Sequence, residues 1–334
     1  MKLRALLMSV AITGIGLMSA MPLHAQPAPK PEKLTVAMHF NVPQLSWYGF
    51  YWAQEHNYYK DAGLELEFVY LRGSTLSVQA TGAGKTDIGV AAADSSLMGI
   101  AEKLPISVIA NHLQTDSTGV ILNKAKGAAT TFKDLAGKTI VTSDTTTLAA
   151  LLRATLKRNN IADKVNVLSV DAQSVCTLML SDRADGCTGF SFAQFLQVKA
   201  KGVDAQFLPF SSPDFPILGH VILANNDYLT THDKQVRAFL AATARGYREA
   251  SADIPKTVEM MARIDPTQPR QTLPDAITII AGLTKSARSE KSGWGWMDDE
   301  AWSNLYAGLV DGKVMQPGLN IAAAYTNKYL PGKP

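Results

Sequence analysis

Three places in the chain hold residue types at spacings that chemistry uses. The run Gly82-Ala83-Gly84-Lys85-Thr86 has the glycines, lysine and threonine of a phosphate cradle. A true phosphate-binding loop needs another Gly five residues before its second one, and leads from a strand into a helix. Here that position is Gln79, and the pattern leads from helix into strand, so the run reads as a polar turn. The run Gly189-Phe190-Ser191-Phe192-Ala193 sets a Ser between strand and helix, as a hydrolase nucleophile requires. It ends in Ala instead of Gly, and only His220 and His232 lie downstream as partners. The histidines (His24, His39, His56, His112, His220 and His232) are scattered, with no i, i+4 pair beside a carboxylate. No acid–base–nucleophile set, metal centre or cofactor is expected, and the chain is not expected to be an enzyme.

The stronger pattern lies at strand-to-helix junctions. In parallel α/β folds, ligands sit beyond the carboxyl ends of strands, where helix N-termini offer free N–H groups. The first strand pattern is followed by His39-Phe40-Asn41 and then Trp47, the second by Gly73-Ser74-Thr75, and the third by Ala93-Asp94-Ser95-Ser96. Further along come Ser143-Asp144-Thr145, Asp171-Ala172-Gln173-Ser174 and Phe190-Ser191-Phe192. Any one of these hydroxyls or carboxylates serves equally as a helix cap. Together with aromatic faces they suit a cleft for a small planar or anionic molecule. The candidate contacts are Phe40 and Trp47 as stacking faces and Asn41 as a polar neighbour. Ser74, Ser143 and Thr145 are candidate hydroxyl donors, and Phe190 and Gln194 close from the other side. Asp94 is either an acceptor for a ligand N–H or a cap.

The elements that must position these residues alternate. Strand patterns at 34–40, 64–71, 87–93 and 106–112 enclose helical patterns at 47–61, 74–83 and 94–103. The alternation restarts with strands at 119–123, 139–143, 165–170, 185–190 and 205–210, between short helices. After one more strand at 219–224 the patterns are helical: 233–250, 254–264, 273–289 and 298–309. Two successive α/β units with largely parallel sheets are expected, followed by a helical third.

The 334 residues are 46% hydrophobic and 18% charged, which excludes disorder and a polytopic membrane protein. A net charge of +3 offers no basic stripe for nucleic acid. Lys2 and Arg4, an apolar stretch to Met21 and the Leu23-His24-Ala25-Gln26 junction have the layout of a signal peptide over residues 1–25, with an extended leader at 26–32. An exported protein bound for a periplasm follows, where Cys176 and Cys187 are free to pair. Pairing and two small buried thiols both fit the spacing.

Several runs together resemble the periplasmic substrate-binding proteins of ABC importers, in the subgroup for sulfonates, taurine, nitrate and thiamine-precursor pyrimidines. They are Gly49-Phe50-Tyr51-Trp52-Ala53, Tyr58-Tyr59-Lys60-Asp61-Ala62-Gly63-Leu64, Gly84-Lys85-Thr86-Asp87-Ile88-Gly89, Leu135-Ala136-Gly137-Lys138 and Gly295-Trp296-Met297-Asp298. The resemblance implies a type II periplasmic binding protein fold: two parallel-sheet lobes, residues 33–115 with 219–334 and residues 116–218, joined by two crossing hinge segments. The ligand would be trapped by hinge closure and delivered by a monomer to an ABC permease and its ATPase. Thiamine-precursor binders carry a Glu in the stretch matching Gly189 to Gln194; the matching residue here is Gln194, a neutral amide. The cysteine-rich iron motif of the related pyrimidine-forming enzyme has no counterpart. The expected ligand is a small aromatic or heteroaromatic compound such as a thiamine-precursor pyrimidine. The alternatives are a sulfonate, taurine, nitrate, an aromatic carboxylate, or a periplasmic enzyme on the same fold.

Overall fold

Ten strands form two five-stranded sheets in the structure, a computed structural model that describes residues 30–144, 147–212, 217–311 and 313–332. The expected signal peptide and all but the last residues of the leader lie outside the described residues. The strands are β1 (Glu32–Met38), β2 (Leu64–Tyr70), β3 (Ile88–Ala92), β4 (Ile106–Asn111), β5 (Thr118–Asn123), β6 (Thr139–Thr142), β7 (Asn166–Ser169), β8 (Gly186–Phe190), β9 (Ala205–Pro209) and β10 (His220–Asn225). The first sheet has the order β2-β1-β3-β10-β4 and the second β7-β6-β8-β5-β9.

The sheets are mixed, where parallel ones were expected. β10 runs antiparallel to β3 and β4, and β5 antiparallel to β8 and β9. The cause is topological. The chain leaves the first sheet after Asn111 and returns at His220, both at the edge where β1, β2 and β3 end. A strand entering at that edge must run away from it. β5 enters the second sheet in the same way, with Thr118 opposite Phe190.

The helices are α1 (Tyr48–Glu55), α2 (Tyr58–Asp61), α3 (Ser74–Gly82), α4 (Ala93–Ala101), α5 (Thr147–Arg158), α6 (Thr177–Leu180), α7 (Gln194–Ala200), α8 (Asn226–Thr231), α9 (Asp233–Ala252), α10 (Ile254–Ile264), α11 (Leu273–Leu283), α12 (Ala287–Ser292) and α13 (Asp299–Asp311). Among the described residues none is long and apolar enough to cross a membrane. They cover both faces of each sheet, so strand residues alternate between two cores. In β5, Val120 and Leu122 join the cluster under α5, while Ile121 joins Val175, Met179 and Val198 beneath α6 and α7.

Two expected helices are broken, each for a local reason. The pattern over 47–61 ends α1 at Glu55 because Asn57 takes a left-handed conformation (φ 60°), and α2 restarts at a new angle. That turn brings Tyr59 inward, where its hydroxyl meets Thr243 Oγ1 at 2.8 Å. The pattern over 273–289 breaks after Leu283. The freed Leu283 carbonyl accepts from the backbone N–H groups of Gln114 (2.8 Å) and Thr115 (3.4 Å), and Ser286 caps α12. A continuous helix would have left that connecting segment without these acceptors.

The two connecting segments run side by side. Leu113 N donates to the His220 carbonyl (3.1 Å), Gly219 N to the Leu113 carbonyl (3.2 Å), and Asp116 N to the Ile217 carbonyl (2.9 Å). Gly219 permits the approach: a Cβ there would sit 2.7 Å from the Leu113 carbonyl oxygen and 2.9 Å from that of Thr115.

Candidate functional site

The edge of the first sheet that bears the connecting segments gathers aromatic rings from four parts of the chain. His39 follows β1, Tyr70 ends β2, His112 follows β4, and His220 opens β10. Trp47 arrives on the 3-10 turn Leu45–Trp47, which Tyr247 of α9 fixes by donating its hydroxyl to the Ser46 carbonyl (2.7 Å). α9 reaches that position because Gly49 and Gly246 let the helices touch; a Cβ on Gly246 would lie 2.1 Å from the Gly49 carbonyl oxygen.

The rings form one group. His39 lies 4.3 Å from His220, 4.6 Å from Phe40 and 5.4 Å from Trp47 between ring centroids. His112 is 6.0 Å from His220, and Trp47 is 6.0 Å from Phe40 and 6.2 Å from Tyr70. Trp47 and His112 are fully buried, His39 is 2% exposed, and Phe40 stands at the rim, 37% exposed.

Among the described residues, both ring nitrogens of His39 and His112, Nδ1 of His220 and the indole nitrogen of Trp47 are buried without a partner in hydrogen-bonding geometry. Buried polar atoms nearly always have partners, so their concentration at this edge is unusual. Burial is the main force holding all three imidazoles below their ordinary value, His220 at about 4. Coulombic repulsion from His220 and His112 lowers His39 further, and the backbone of Val90 works the other way. At neutral pH the three rings are uncharged.

Two carboxylates stand near the connecting segments. Asp116 lies in the first of them, buried, and accepts from the Thr118 N–H (2.7 Å) and hydroxyl. Burial pushes its carboxyl up to about 6; the Thr118 hydrogen bonds oppose the rise and the charge of Asp94 adds to it. Asp94 sits in the first turn of α4, beside the Ala93 N–H that donates to the Gly219 carbonyl. Its Oδ1 accepts from Ser95 N at 2.6 Å. Neither carboxylate forms an ion pair among the described residues.

The corresponding edge of the second sheet carries Ser143 just beyond β6, Phe190 at the end of β8, and Ser191, whose buried hydroxyl has no partner among the described residues. Phe190 and Gln194 line a cavity of about 490 Å³ that runs between α6 and α7 to Lys201. Cys176 is in its wall, tied to Cys187 of β8 by a disulfide. Sequence had left that pairing open. Cys176 stands just ahead of the short α6, at its N-cap position. A smaller cavity of about 190 Å³ has walls from both sides, with Gln44, Leu45, Thr272 and Leu273 on one and Phe192, Ala193 and Gln197 on the other. Leu196 of α7 joins the core of the first sheet, and Phe192, in the turn between β8 and α7, packs against that core.

The structure brings together Phe40 with Trp47, and Phe190 with Gln194. Asn41 is exposed in the bend after Phe40. Ser74 and Gln194 are engaged locally. Ser74 Oγ accepts from Ala92 N (3.0 Å), tying α3 to β3 while Gly73 holds the cap position, and Gln194 Oε1 accepts from Phe190 N (3.1 Å). Ser143 is buried and partnered. Thr145 lies outside the described residues. Sequence reasoning missed the histidines, which were dismissed as scattered. Each borders an apolar strand run: His39 after Leu34-Thr35-Val36-Ala37-Met38, His112 after Ile106-Ser107-Val108-Ile109-Ala110-Asn111, and His220 before Val221-Ile222-Leu223. That shared position at strand ends was the available signal. Among the described residues no group of His, Cys, Asp or Glu is arranged to hold a metal ion.

Residues 44–256 match the family described as NMT1/THI5 like. Two curated relatives from Saccharomyces cerevisiae, the 4-amino-5-hydroxymethyl-2-methylpyrimidine phosphate synthases THI12 and THI5, are 31% identical over 88 residues. The matched stretch covers 26% of this chain and 26% of each relative. Among solved structures, the aliphatic sulphonate binding protein SsuA from Escherichia coli superposes with a TM-score of 0.70 at 12% identity, covering 90% of this chain and 99% of that one. The alkanesulfonate-binding protein SsuA from Xanthomonas axonopodis pv. citri, bound to MOPS, gives 0.63 at 14% identity, with the same coverage. At such identities the likeness establishes the fold, that of the periplasmic binding proteins.

Proposed function

The chain belongs to the NMT1/THI5-like family, and on that footing we propose that it is the solute-binding component of an ABC importer. It is exported by its first 25 residues and works in the periplasm. One observation carries the reading: two sheets are joined by paired connecting segments, and aromatic rings and unpartnered polar atoms collect at the edge of the first sheet that bears those segments. Residues 33–115 with 219–334 form one lobe and residues 116–218 the other. Rotation about residues 112–117 and 217–220 closes them on a solute and excludes water, which strengthens the few polar contacts made. The closed form then docks on a permease.

The solute is a small planar heteroaromatic compound, a thiamine-precursor pyrimidine being the leading case. Phe40 and Trp47 supply ring faces of the right kind. The local likeness to the yeast pyrimidine phosphate synthases supports the same class. A second reading, a sulfonate, rests on what the two SsuA proteins are named for. Both cysteines are tied in one disulfide, so neither is available as a thiolate nucleophile or an iron ligand.

Thermal unfolding of residues 26–334 against aminopyrimidines, nucleobases, aromatic carboxylates, alkyl sulfonates, taurine and nitrate tests the proposal. A ligand at a hundredfold excess over Kd stabilises the fold by about 2.7 kcal/mol. A shift with pyrimidines supports the leading case, a shift with sulfonates alone supports the second reading, and no shift with any of them contradicts both.

A further inference from the structure

We propose that His39, His112 and His220 are solute contacts, and that they select a solute that brings N–H or O–H donors and carries no negative charge. The inference rests on the reading of the cleft as a solute site and goes on to its chemistry. Each uncharged imidazole offers one N–H and one lone pair. Five ring nitrogens of the three residues, with the Trp47 indole N–H, are buried and unmatched. A partner that both donates and accepts satisfies them; one that only accepts leaves the lone pairs orphaned.

Charge points the same way. Nothing in the group offers a fixed positive charge, because burial keeps the imidazoles neutral. The carboxylates Asp94 and Asp116 stand near the connecting segments and act on each other electrostatically. The rings of Tyr70 and Tyr247 lie against Trp47 and His112. An anion drawn in beside the three rings loses its water, meets uncharged imidazoles and has the carboxylates Asp94 and Asp116 close by, while Arg72 stays exposed at the rim. This sets the chain apart from proteins named for binding sulfonates, whose fold it shares.

A matched pair of probes tests the proposal: 4-amino-5-hydroxymethyl-2-methylpyrimidine and the same ring with a carboxylate in place of the hydroxymethyl group. Calorimetric titration at pH 7.5 is expected to give at least tenfold tighter binding of the neutral compound. Titration in two buffers of different ionisation enthalpy is expected to show no net proton uptake. His39→Asn and His220→Gln are expected to weaken the neutral compound at least tenfold, and circular dichroism checks that each variant is folded. Equal or tighter binding of the carboxylate or of MOPS, uptake of about one proton per solute, or unchanged binding by both variants overturns the assignment while leaving a solute-binding cleft in place. If no probe binds a folded protein, the cleft reading itself fails and the assignment with it.

Discussion

The imidazoles of His39 and His220 meet edge to face with centroids 4.3 Å apart, one at the end of β1 and the other at the start of β10. Two uncharged rings tolerate that approach, whereas two imidazolium ions in a buried site repel strongly. The pair therefore makes the fold sensitive to acid.

The direction follows from the shifts. His220 titrates at about 4 when folded and near 6.5 when unfolded, and His39 and His112 are lowered as well. The stability they contribute is complete above pH 6.5 and is lost as pH falls toward 4, about 3 kcal/mol for His220 alone. Asp116 acts oppositely. Its raised value favours the fold at low pH, an effect lost as pH rises through about 6. Three imidazoles outweigh one carboxyl, so urea unfolding at pH 7.5, 5.5 and 4.5 should show falling stability. Asp116→Asn should steepen the fall and His220→Gln should flatten it. A flat profile in the parent protein would contradict the buried, neutral cluster.

Gly219 lets the connecting segments touch, and the atoms a Cβ would strike there include backbone carbonyl oxygens. Gly219→Ala should destabilise the protein by about 1–3 kcal/mol and weaken solute binding, since the hinge pairing must part. Gly282 of α11 is the control. A Cβ there meets nothing within 4 Å, and Ala should stabilise by about 0.5–1 kcal/mol. Equal effects at both positions would show that the close approach is not what Gly219 provides.

The disulfide between Cys176 and Cys187 closes an 11-residue separation and holds the segment before α6 against β8. Reduction, or replacement of both by Ala, should cost about 3 kcal/mol. Amide exchange should quicken in residues 172–181, and the wall of the larger cavity should loosen with it. Unchanged exchange in that stretch would mean that packing alone holds it.

Phe40 is the rim ring and Trp47 the buried one. Phe40→Ala should change stability by no more than about 0.5 kcal/mol while lowering solute affinity at least tenfold. Trp47→Ala should cost about 3–5 kcal/mol of stability, so its effect on binding is read only in protein shown to be folded. Full affinity in Phe40→Ala would remove the rim from the site.

Much of the architecture was legible because apolar runs such as Leu34 to Met38 and Val120 to Leu122 leave few other ways to be buried. The strand directions of β5 and β10 were not, since they depend on which edge the chain enters after crossing between sheets. The helix breaks at Asn57 and after Leu283 were also hidden, because tertiary partners, Thr243 for Tyr59 and the connecting segment for the Leu283 carbonyl, decide them. At the site, the aromatic residues announced themselves by type. The roles of Ser74 and Gln194 did not, because a hydroxyl or amide at a strand-to-helix junction can equally meet a solute or a backbone N–H, and here each meets a backbone N–H, of Ala92 and of Phe190. The three histidines share no sequence spacing at all; only the sheet order brings them together.

The central claim is capture of a solute between the two sheets, and a distance across the cleft tests it most directly. Thr75 at the start of α3 and Asp171 beyond β7 are both exposed, and the native cysteines are sealed in a disulfide. Spin labels on Thr75→Cys and Asp171→Cys, measured by double electron–electron resonance, should give a shorter and narrower distance distribution when 4-amino-5-hydroxymethyl-2-methylpyrimidine is added to saturation. The same distribution with and without bound solute would contradict closure about the connecting segments.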